Sequence, residues 1–389
     1  MRILHITPFF YPAHVYGGPI PVLYDLCCES VKSGCDVKVL TTNANGKDAV
    51  LDVPTDREVR LPCGVSVRYC RRIGREAAAP GLLAELVRSV QWADAIHLST
   101  AYSFPVIPTL IACTFLSRPL VWTPMGALQH WRGSRRLRLK SHWERICRFA
   151  APENMVVHVT SATEESESRN VFPAATFVTI PHGVYIPEMP SKDTGGELRL
   201  LFLGRLDPKK GLENLLEACS LIQPRQLHPD RGDWSLTIAG SGAPEYVDTI
   251  RARIEALGLS QSVRMVGQVA GAAKEMLFAH ADILVVPSHT ENFAMVVVEA
   301  LARGVPVLAS TGTPWSRLPE KGCGMWVDNA PEQLAVAIHT MSGMDFREMG
   351  LRARRWMQEE FAWPAVAADM LALYRERRDS VAASGVSAA

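Results

Sequence analysis

Ser288-His-Thr-Glu291-Asn-Phe293-Ala-Met-Val-Val-Val-Glu299-Ala300 is the stretch on which the reading of this chain turns. Just upstream, Ala281-Asp-Ile-Leu-Val-Val-Pro287 is a short apolar run, rich in β-branched residues and stopped by a proline. That pattern predicts a buried parallel strand. Downstream, Phe293 to Arg303 is apolar with one acidic residue and ends at Gly304-Val-Pro306, which predicts a helix with a glycine stop. Glu291 then falls in the strand-to-helix loop, and Glu299 roughly two turns into the helix. The first N–H groups of that helix, Asn292 to Met295, carry the positive end of its dipole and suit a diphosphate. One carboxylate at the mouth and one deeper would bind hydroxyls on either side of it, a sugar at one end and a ribose at the other. The same residues also read as an ordinary helix start with a dipole-favouring acid and a surface glutamate.

The totals narrow the field. A chain of 389 residues exceeds what one core usually serves, so two domains are expected. A hydrophobic share of 48% with 21% charged residues is that of a globular protein. With a net charge of +1 no global field recruits nucleic acid, and an electrostatic partner has to be held by a local patch. The nine cysteines show no Cys-x-x-Cys pair, only a contiguous Cys27-Cys28, and read as reduced core thiols of a cytoplasmic protein. Arg2-Ile-Leu-His-Ile-Thr7 reads as a strand and not as a signal peptide. No run approaches about 18 apolar residues, so none is expected to span a bilayer.

Along the chain, strands and helices alternate. The strand Arg2–Thr7 is followed by Gly17-Gly18-Pro19, a helix from Ile20 to Ser33 and a strand Asp36–Thr41. Val65–Tyr69, Ala95–Leu98, Pro119–Trp122 and Met155–Thr160 read as further strands, with helices over Gly81–Trp92 and Phe104–Leu116. Around Pro187 to Gly196 the composition turns to Pro, Gly and polar residues, a domain boundary. The alternation then restarts with Leu198–Leu203, Leu212–Leu221, Ser235–Ala239, Tyr246–Leu257, Val263–Val266 and Ala272–His280. Val305–Ala309 and Gly324–Val327 add two strands after the organising helix. The expected fold is α/β, two doubly wound Rossmann-like domains with an interdomain cleft where the carboxyl ends of the strands take ligands. The domains are placed at 1–188 and 189–362, with a helix over 363–378 packing back on the first and a disordered tail at 379–389.

Gly204-Arg205-Leu-Asp-Pro-Lys-Lys210-Gly211 follows a strand and precedes a helix. Arg205 as a fork and Lys210 as a point charge would both reach one diphosphate, which is what a leaving nucleotide requires. A basic surface turn is the plainer reading. The Walker spacing and the Gly-x-Gly-x-x-Gly fingerprint are both missing, which weighs against a P-loop and a nicotinamide dehydrogenase. Gly17 and Gly18 would let backbone approach phosphate, or serve a turn only. Gly240-Ser-Gly242 and Val266-Gly-Gln268 are loops at strand ends where a base would lie against backbone.

Gly-Arg-x4-Lys-Gly, Gly-Ser-Gly, Glu-x7-Glu and Ala-Leu-Ala-Arg-Gly-Val-Pro-Val together resemble the retaining GT-B glycosyltransferases of family 4, over most of residues 197–330. The resemblance implies that Arg205 and Lys210 hold the donor diphosphate and that Glu291 lies by the donor sugar. It implies that the amides of Asn292 and Phe293 stand near sugar and phosphate, and that Glu299 takes the ribose hydroxyls. Residues 189–362 would then be the donor domain and 1–188 the acceptor side. It further implies no metal and no cofactor, only a UDP- or GDP-linked sugar as substrate; the absence of any Asp-x-Asp agrees. The family often has a histidine near the donor sugar where this chain has Thr123-Pro-Met125-Gly126, so no histidine role carries over. His182 in Pro181-His-Gly-Val184 reads as a hinge residue, and His97 as a core histidine.

Trp131 to Ala150 carries Arg132, Arg135, Arg136, Arg138, Lys140, Arg145 and Arg148 against a single Glu144. On a helix, Leu139, Trp143, Ile146 and Ala150 share a stripe beside Arg135, Arg138, His142 and Arg145. That suits an anionic membrane surface near a lipid-linked saccharide; a solvated basic face is the alternative. The expected activity is transfer of a hexose to a saccharide acceptor in cell-surface polysaccharide or glycolipid synthesis, in the cytoplasm or on the inner face of the membrane. A nucleotide-sugar epimerase and a non-catalytic nucleotide-sugar-binding regulator are the alternatives.

Overall fold

The computed structural model describes residues 1–74, 77–129, 137–189, 196–222 and 232–386. The chain divides into two compact units, Met1–Gly183 together with Trp363–Ala389, and Val184–Ala362. The division falls a few residues ahead of position 188. Val184 donates its N–H to the Phe361 carbonyl at 2.8 Å and buries its side chain in the second unit's core, so from Val184 onward the chain belongs to the second unit.

The first unit runs β1 (Arg2–Ile6), α1 (Pro19–Lys32), β2 (Asp36–Thr42), β3 (Glu58–Arg60), β4 (Ser66–Cys70), α2 (Pro80–Trp92) and β5 (Ala95–Ser99). It continues with α3 (Val106–Phe115), β6 (Leu120–Thr123), α4 (Leu137–Ala150), β7 (Val156–Val159), α5 (Ala162–Val171) and β8 (Thr176–Thr179). Among the described residues the sheet has eight strands in the order β8-β7-β6-β5-β1-β2-β4-β3, parallel except for the edge pair β3–β4. Strand order reverses at β1, next to β5. The second unit runs β9 (Leu198–Leu203), α6 (Leu212–Leu221), β10 (Trp234–Ala239), α7 (Pro244–Ala256), β11 (Val263–Gly267), α8 (Gly271–His280) and β12 (Ile283–Val286). Then come α9 (Met295–Ala302), β13 (Val307–Ser310), β14 (Gly324–Val327), α10 (Pro331–Ser342) and α11 (Phe346–Glu360). Its sheet is β11-β10-β9-β12-β13-β14, all parallel. The last helix, α12 (Trp363–Val386), belongs to the first unit. It runs through residues 379–386, which were expected to form a loose tail; 387–389 lie outside the described residues.

The two faces of the first sheet differ in chemistry. Leu4, Ile6, Ile96, Leu98, Leu120, Trp122, Val157 and Val159 point to one face and form a continuous apolar core with α2 and α3. Alternation puts His5, Thr7, Thr41, His97, Ser99, Thr123 and His158 on the other, where α12 packs on β5 and α1 on β2. All seven are buried. Buried apolar residues such as Ile3, Val39 and Val121 share this face, as a sheet covered on both faces ordinarily shows, and the polar side chains among them need their hydrogen bonds accounted for.

Three of them, His97, Thr123 and His158, form one relay whose proton order is dictated by its ends; Thr41 and Ser99 have no hydrogen-bond partner among the described residues. The Ile180 carbonyl can only accept, so His158 Nε2–H donates to it at 2.8 Å. His158 Nδ1 therefore accepts from the Thr123 hydroxyl at 2.8 Å. That hydroxyl, having given its proton, accepts from His97 Nε2–H at 2.9 Å, and His97 Nδ1 accepts from the Tyr374 hydroxyl on α12 at 2.5 Å. A neutral imidazole offers one donor and one acceptor, so both rings are neutral and satisfied. His97 is thus the core histidine its sequence context indicated. His5 stacks on His97 with ring centroids 4.8 Å apart, and neither of its ring nitrogens meets a partner among the described residues.

These rings titrate far from their solution value. Burial pushes His5 down to about 3 and His158 down to about 4, and drives His97 well below the ordinary histidine range. In the unfolded chain each takes a proton near about pH 6.5, so below that pH the unfolded state binds more protons than the folded one. Stability is expected to be flat above about pH 6.5. Below it, stability should fall by about 1.4 kcal/mol per pH unit for each ring. Urea midpoints measured from about pH 8 to about pH 5 check this; a midpoint that does not move contradicts the neutral relay.

Candidate functional site

The polar side chains picked out in the second half gather at the carboxyl ends of β9, β10, β11 and β12, where parallel sheets of this kind take ligands. The loop after β9 is shaped by its own residues. Asp207 accepts from the Lys209 N–H at 3.0 Å and closes a short turn over Pro208–Lys210. Gly211 then takes φ 63°, and a Cβ there would stand 2.1 Å from the Pro287 carbonyl oxygen. Only glycine allows both the left-handed backbone and that approach. The approach brings the loop after β9 against the loop after β12, where His289 N–H donates to the Lys209 carbonyl at 2.9 Å.

Across that junction Lys210 Nζ is hydrogen-bonded to Glu291 Oε1, and the Ser288 hydroxyl donates to the same oxygen at 2.8 Å. The Glu291 N–H is held by the Gly312 carbonyl at 2.8 Å. Arg205 is exposed and has no carboxylate partner among the described residues. Lys209 is half-buried beside them. Burial holds its ammonium below the ordinary lysine range; Lys210 and Arg205 push the same way, and Glu291 opposes them. Three cations therefore share the carboxylates of Glu291 and Asp207, and the cluster is set to receive an anion.

The organising helix differs from the expectation in where it begins. α9 starts at Met295, not at Phe293, because Ala294 adopts φ 62°. The N–H groups of its opening turn are therefore those of Met295 and Val296, while Asn292 and Phe293 belong to the loop. Phe293 turns its ring into the core against Trp315, whose indole N–H donates to the Phe293 carbonyl at 2.6 Å. Glu299 stands one turn into the helix, not two. Its carboxylate is held by Lys274 on α8 at 2.7 Å. Ser288, Lys209 and Lys274 were not picked out from the sequence. Nothing local marks Ser288 or Lys274, because the partner of each is brought to it only by the fold.

Gly240 and Gly242 have a packing reason to be glycine. A Cβ on Gly240 would stand 1.8 Å from the Gly204 carbonyl oxygen, and one on Gly242 2.1 Å from that of Leu206. They let the Gly204–Leu206 segment extend the β9–β10 ladder past the strand ends, with Leu206 N–H on the Ser241 carbonyl at 2.8 Å. Val266 is half-buried and Gln268 exposed at the end of β11, where Gln268 Oε1 accepts from the Ser241 hydroxyl at 3.3 Å. In the first unit Gly17 has φ 75° and Gly18 precedes α1, both at the carboxyl end of β1.

The basic helix also departs from its reading. Cys147, Ala150 and Glu144 are buried, the last hydrogen-bonded by the Tyr102 hydroxyl, and Trp143 turns inward to donate to the Ala101 carbonyl at 2.9 Å. Trp143 is an anchor of α4 and not a surface residue. The exposed face instead carries Leu139 (63% exposed) and Phe149 (94% exposed) with Ile146, among Arg138, His142 and Arg145. Arg135 lies outside the described residues.

Two tandem units of this topology define the GT-B class. Residues 17–183 match the family model "Glycosyl transferase 4-like domain" and residues 189–348 match "Glycosyl transferases group 1". The chain therefore carries the GT-B fold, and each of its two units is similar to the family 4 glycosyltransferases. It is 35% identical over 190 residues to a D-inositol 3-phosphate glycosyltransferase of Jonesia denitrificans, a match covering 48% of this chain and 44% of that protein. It is 31% identical over 218 residues to a phosphatidyl-myo-inositol mannosyltransferase of Mycobacterium leprae, covering 54% of each. The chain spans about half the length of these curated relatives. Its fold matches that of Anabaena HepE solved in complex with UDP-glucose, with a TM-score of 0.71 and 20% identity over 96% of this chain and 99% of that one.

Gly211→Ala tests the junction. The left-handed backbone alone costs an alanine about 1–2 kcal/mol, and the clash with Pro287 adds to it. Urea unfolding of the variant is expected to show a loss of about 2 kcal/mol or more; a wild-type midpoint would mean that the two loops are free to part.

Proposed function

We propose that the chain is a retaining glycosyltransferase that moves a hexose from a UDP- or GDP-linked sugar to a saccharide acceptor carried on a lipid. The observation that carries this reading is the Lys210–Glu291 contact with Arg205 beside it, exposed and without a carboxylate partner among the described residues, at the head of the second sheet. When the sugar leaves, negative charge builds on the diphosphate, and Arg205 and Lys210 are placed to receive it without a divalent cation. Lys210 then exchanges Glu291 for phosphate, freeing the carboxylate for the sugar hydroxyls. Glu299, oriented by Lys274, takes the ribose hydroxyls. The C1–O bond to the diphosphate breaks as the acceptor oxygen bonds to C1 on the same face, and the acceptor's hydroxyl proton passes to the departing phosphate oxygen.

Support for the donor comes from HepE, which was solved with UDP-glucose, and for a lipid-borne acceptor from the mannosyltransferase relative, whose name specifies a phosphatidylinositol. Among the described residues no helix is long and apolar enough to cross a membrane. The exposed face of α4 offers a way to reach such an acceptor. Leu139, Ile146 and Phe149 would enter the lipid boundary while Arg138 and Arg145 meet anionic headgroups. Phe115 (83% exposed) on the adjoining α3 extends the apolar surface. That surface supports a position on the inner face of the cell membrane, and the mannosyltransferase relative supports a role in polysaccharide or glycolipid synthesis.

Arg205→Ala and Lys210→Ala, assayed with chelator present, are expected to lose transfer by two orders of magnitude or roughly more, with unfolding midpoints within about 1 kcal/mol of wild type. UDP and GDP should each be tried for a thermal shift that both variants weaken. Full activity in either variant, or activity restored only by magnesium, would sink the reading. For the membrane surface, Phe149→Asp with Arg138→Glu should abolish sedimentation with phosphatidylglycerol vesicles while leaving the nucleotide shift intact. Undiminished sedimentation would remove α4 from the account.

A further inference from the structure

The carboxyl end of β6 makes a corner that the first unit holds rigidly. Met125 has φ 54° and Gly126 φ 73°. Left-handed backbone is unfavourable for a residue with a Cβ and persists only where the surroundings impose it. On the strand side, the Thr123 hydroxyl is tied to His97 and His158, and Pro124 has its φ fixed by its ring. On the far side, Gly126 N–H donates to Glu164 Oε1 at 2.6 Å. Glu164 Oε2 takes both the N–H and the hydroxyl of Thr160, each at 2.8 Å.

Glu164 stands in the first turn of α5, is 0% exposed, and has its own N–H capped by the Ser161 hydroxyl at 3.1 Å. Ser161-Ala-Thr-Glu164 has the spacing of a capping box, in which the glutamate would reach back to the Ser161 N–H. Here it reaches one residue further, to Thr160, and turns its other oxygen to Gly126. The carboxylate therefore joins the loop after β7 to the corner after β6. Helix capping alone does not require the second bond. The Met125 side chain lines a small cavity with His97, Thr123, His158, His182 and Trp363. Strained backbone held in place at the carboxyl end of a parallel strand is where a ligand-positioning role is to be sought.

We propose that Glu164 is a positioning residue, setting the Met125–Gly126 corner against which the acceptor is oriented. The proposal rests on the transferase reading above. Glu164 touches no substrate; it acts through the Gly126 N–H.

Glu164→Gln in the full chain tests it. The Gly126 N–H and the N–H and hydroxyl of Thr160 all converge on the carboxylate, and an amide has only one acceptor oxygen, so either Gly126 or Thr160 then faces an NH2 group. The thermal shift given by UDP or GDP should stay at its wild-type size. Incorporation of labelled hexose from UDP-glucose or GDP-mannose into a total membrane lipid extract should fall on the order of tenfold or more. Glu164→Asp, which keeps both acceptor oxygens on a shorter stem, should recover part of it. A residue of merely structural weight would not separate nucleotide binding from transfer. Wild-type incorporation by the Gln variant, or parallel loss of the nucleotide shift and transfer, overturns the proposal. If the Gln variant does not fold, Thr160→Val removes the hydroxyl arm alone, and should fold and transfer several-fold more slowly; a wild-type rate there overturns it equally. A wild-type chain that shifts with no nucleotide defeats the transferase reading itself. One that shifts with a nucleotide but labels no lipid defeats the lipid acceptor, and this inference with it.

Discussion

Lys210 meets Glu291 because two loops that are far apart in sequence are pressed to within backbone contact. The Gly211 Cα lies so close to the Pro287 carbonyl that no side chain fits between them, and the His289–Lys209 backbone bond fastens the approach. Everything proposed for the second unit depends on that closeness. It puts a guanidinium, two ammonium groups and a carboxylate at one place on the rim of the sheet. Burial weakens hydration of the Lys209 ammonium, which is held below the ordinary lysine range, while Arg205 remains exposed beside it.

The first unit is organised differently. Its sheet has one face that carries a continuous apolar core, and a second, mixed face that sets among buried residues such as Ile3, Val39 and Val121 a polar relay running from Tyr374 on the last helix through His97 and Thr123 to His158 and the Ile180 carbonyl. Within the relay every ring nitrogen of His97 and His158 is satisfied, which fixes one arrangement, while His5, Thr41 and Ser99 beside it have buried polar atoms without a partner among the described residues. The relay takes the last helix, three strands and the segment leading to Gly183 and makes them one hydrogen-bonded body. Trp363 reinforces it: the Trp363 ring sits where a Cβ on Gly183 would stand, at 2.4 Å. The place where the chain leaves this unit and the place where it returns are thus packed against each other.

How much of this was legible depended on range. Strands such as Ile283–Val286 and Leu198–Leu203 were readable because a buried parallel strand is apolar at every position and proline or glycine marks its ends. The start of α9 was misread by two residues because an alanine in left-handed geometry leaves no mark in the sequence. The face of α4 was misread because its amphipathic pattern admits two rotations. Glu144, a charged residue, is buried by the Tyr102 hydroxyl, while Phe149 is left in solvent. Short elements with mixed patterns, β3, β8 and α5 among them, were not anticipated at all.

By itself the sequence determined the two-domain α/β architecture and the parallel strands, and set Arg205 and Lys210 in one strand-to-helix loop and Glu291 in another; their grouping with Glu299 as one site is what the resemblance implies. The architecture, the strands and the loop placements are consequences of composition and of short spacings along the chain. Only the tertiary structure decided that Lys274 holds Glu299, that Ser288 and Lys210 share one oxygen of Glu291, that the histidines form a neutral relay, and that Glu164 holds the Met125 corner. Each of these is a hydrogen bond between side chains brought together by strand order and loop approach, and a contact of that kind has no periodicity for a sequence to display.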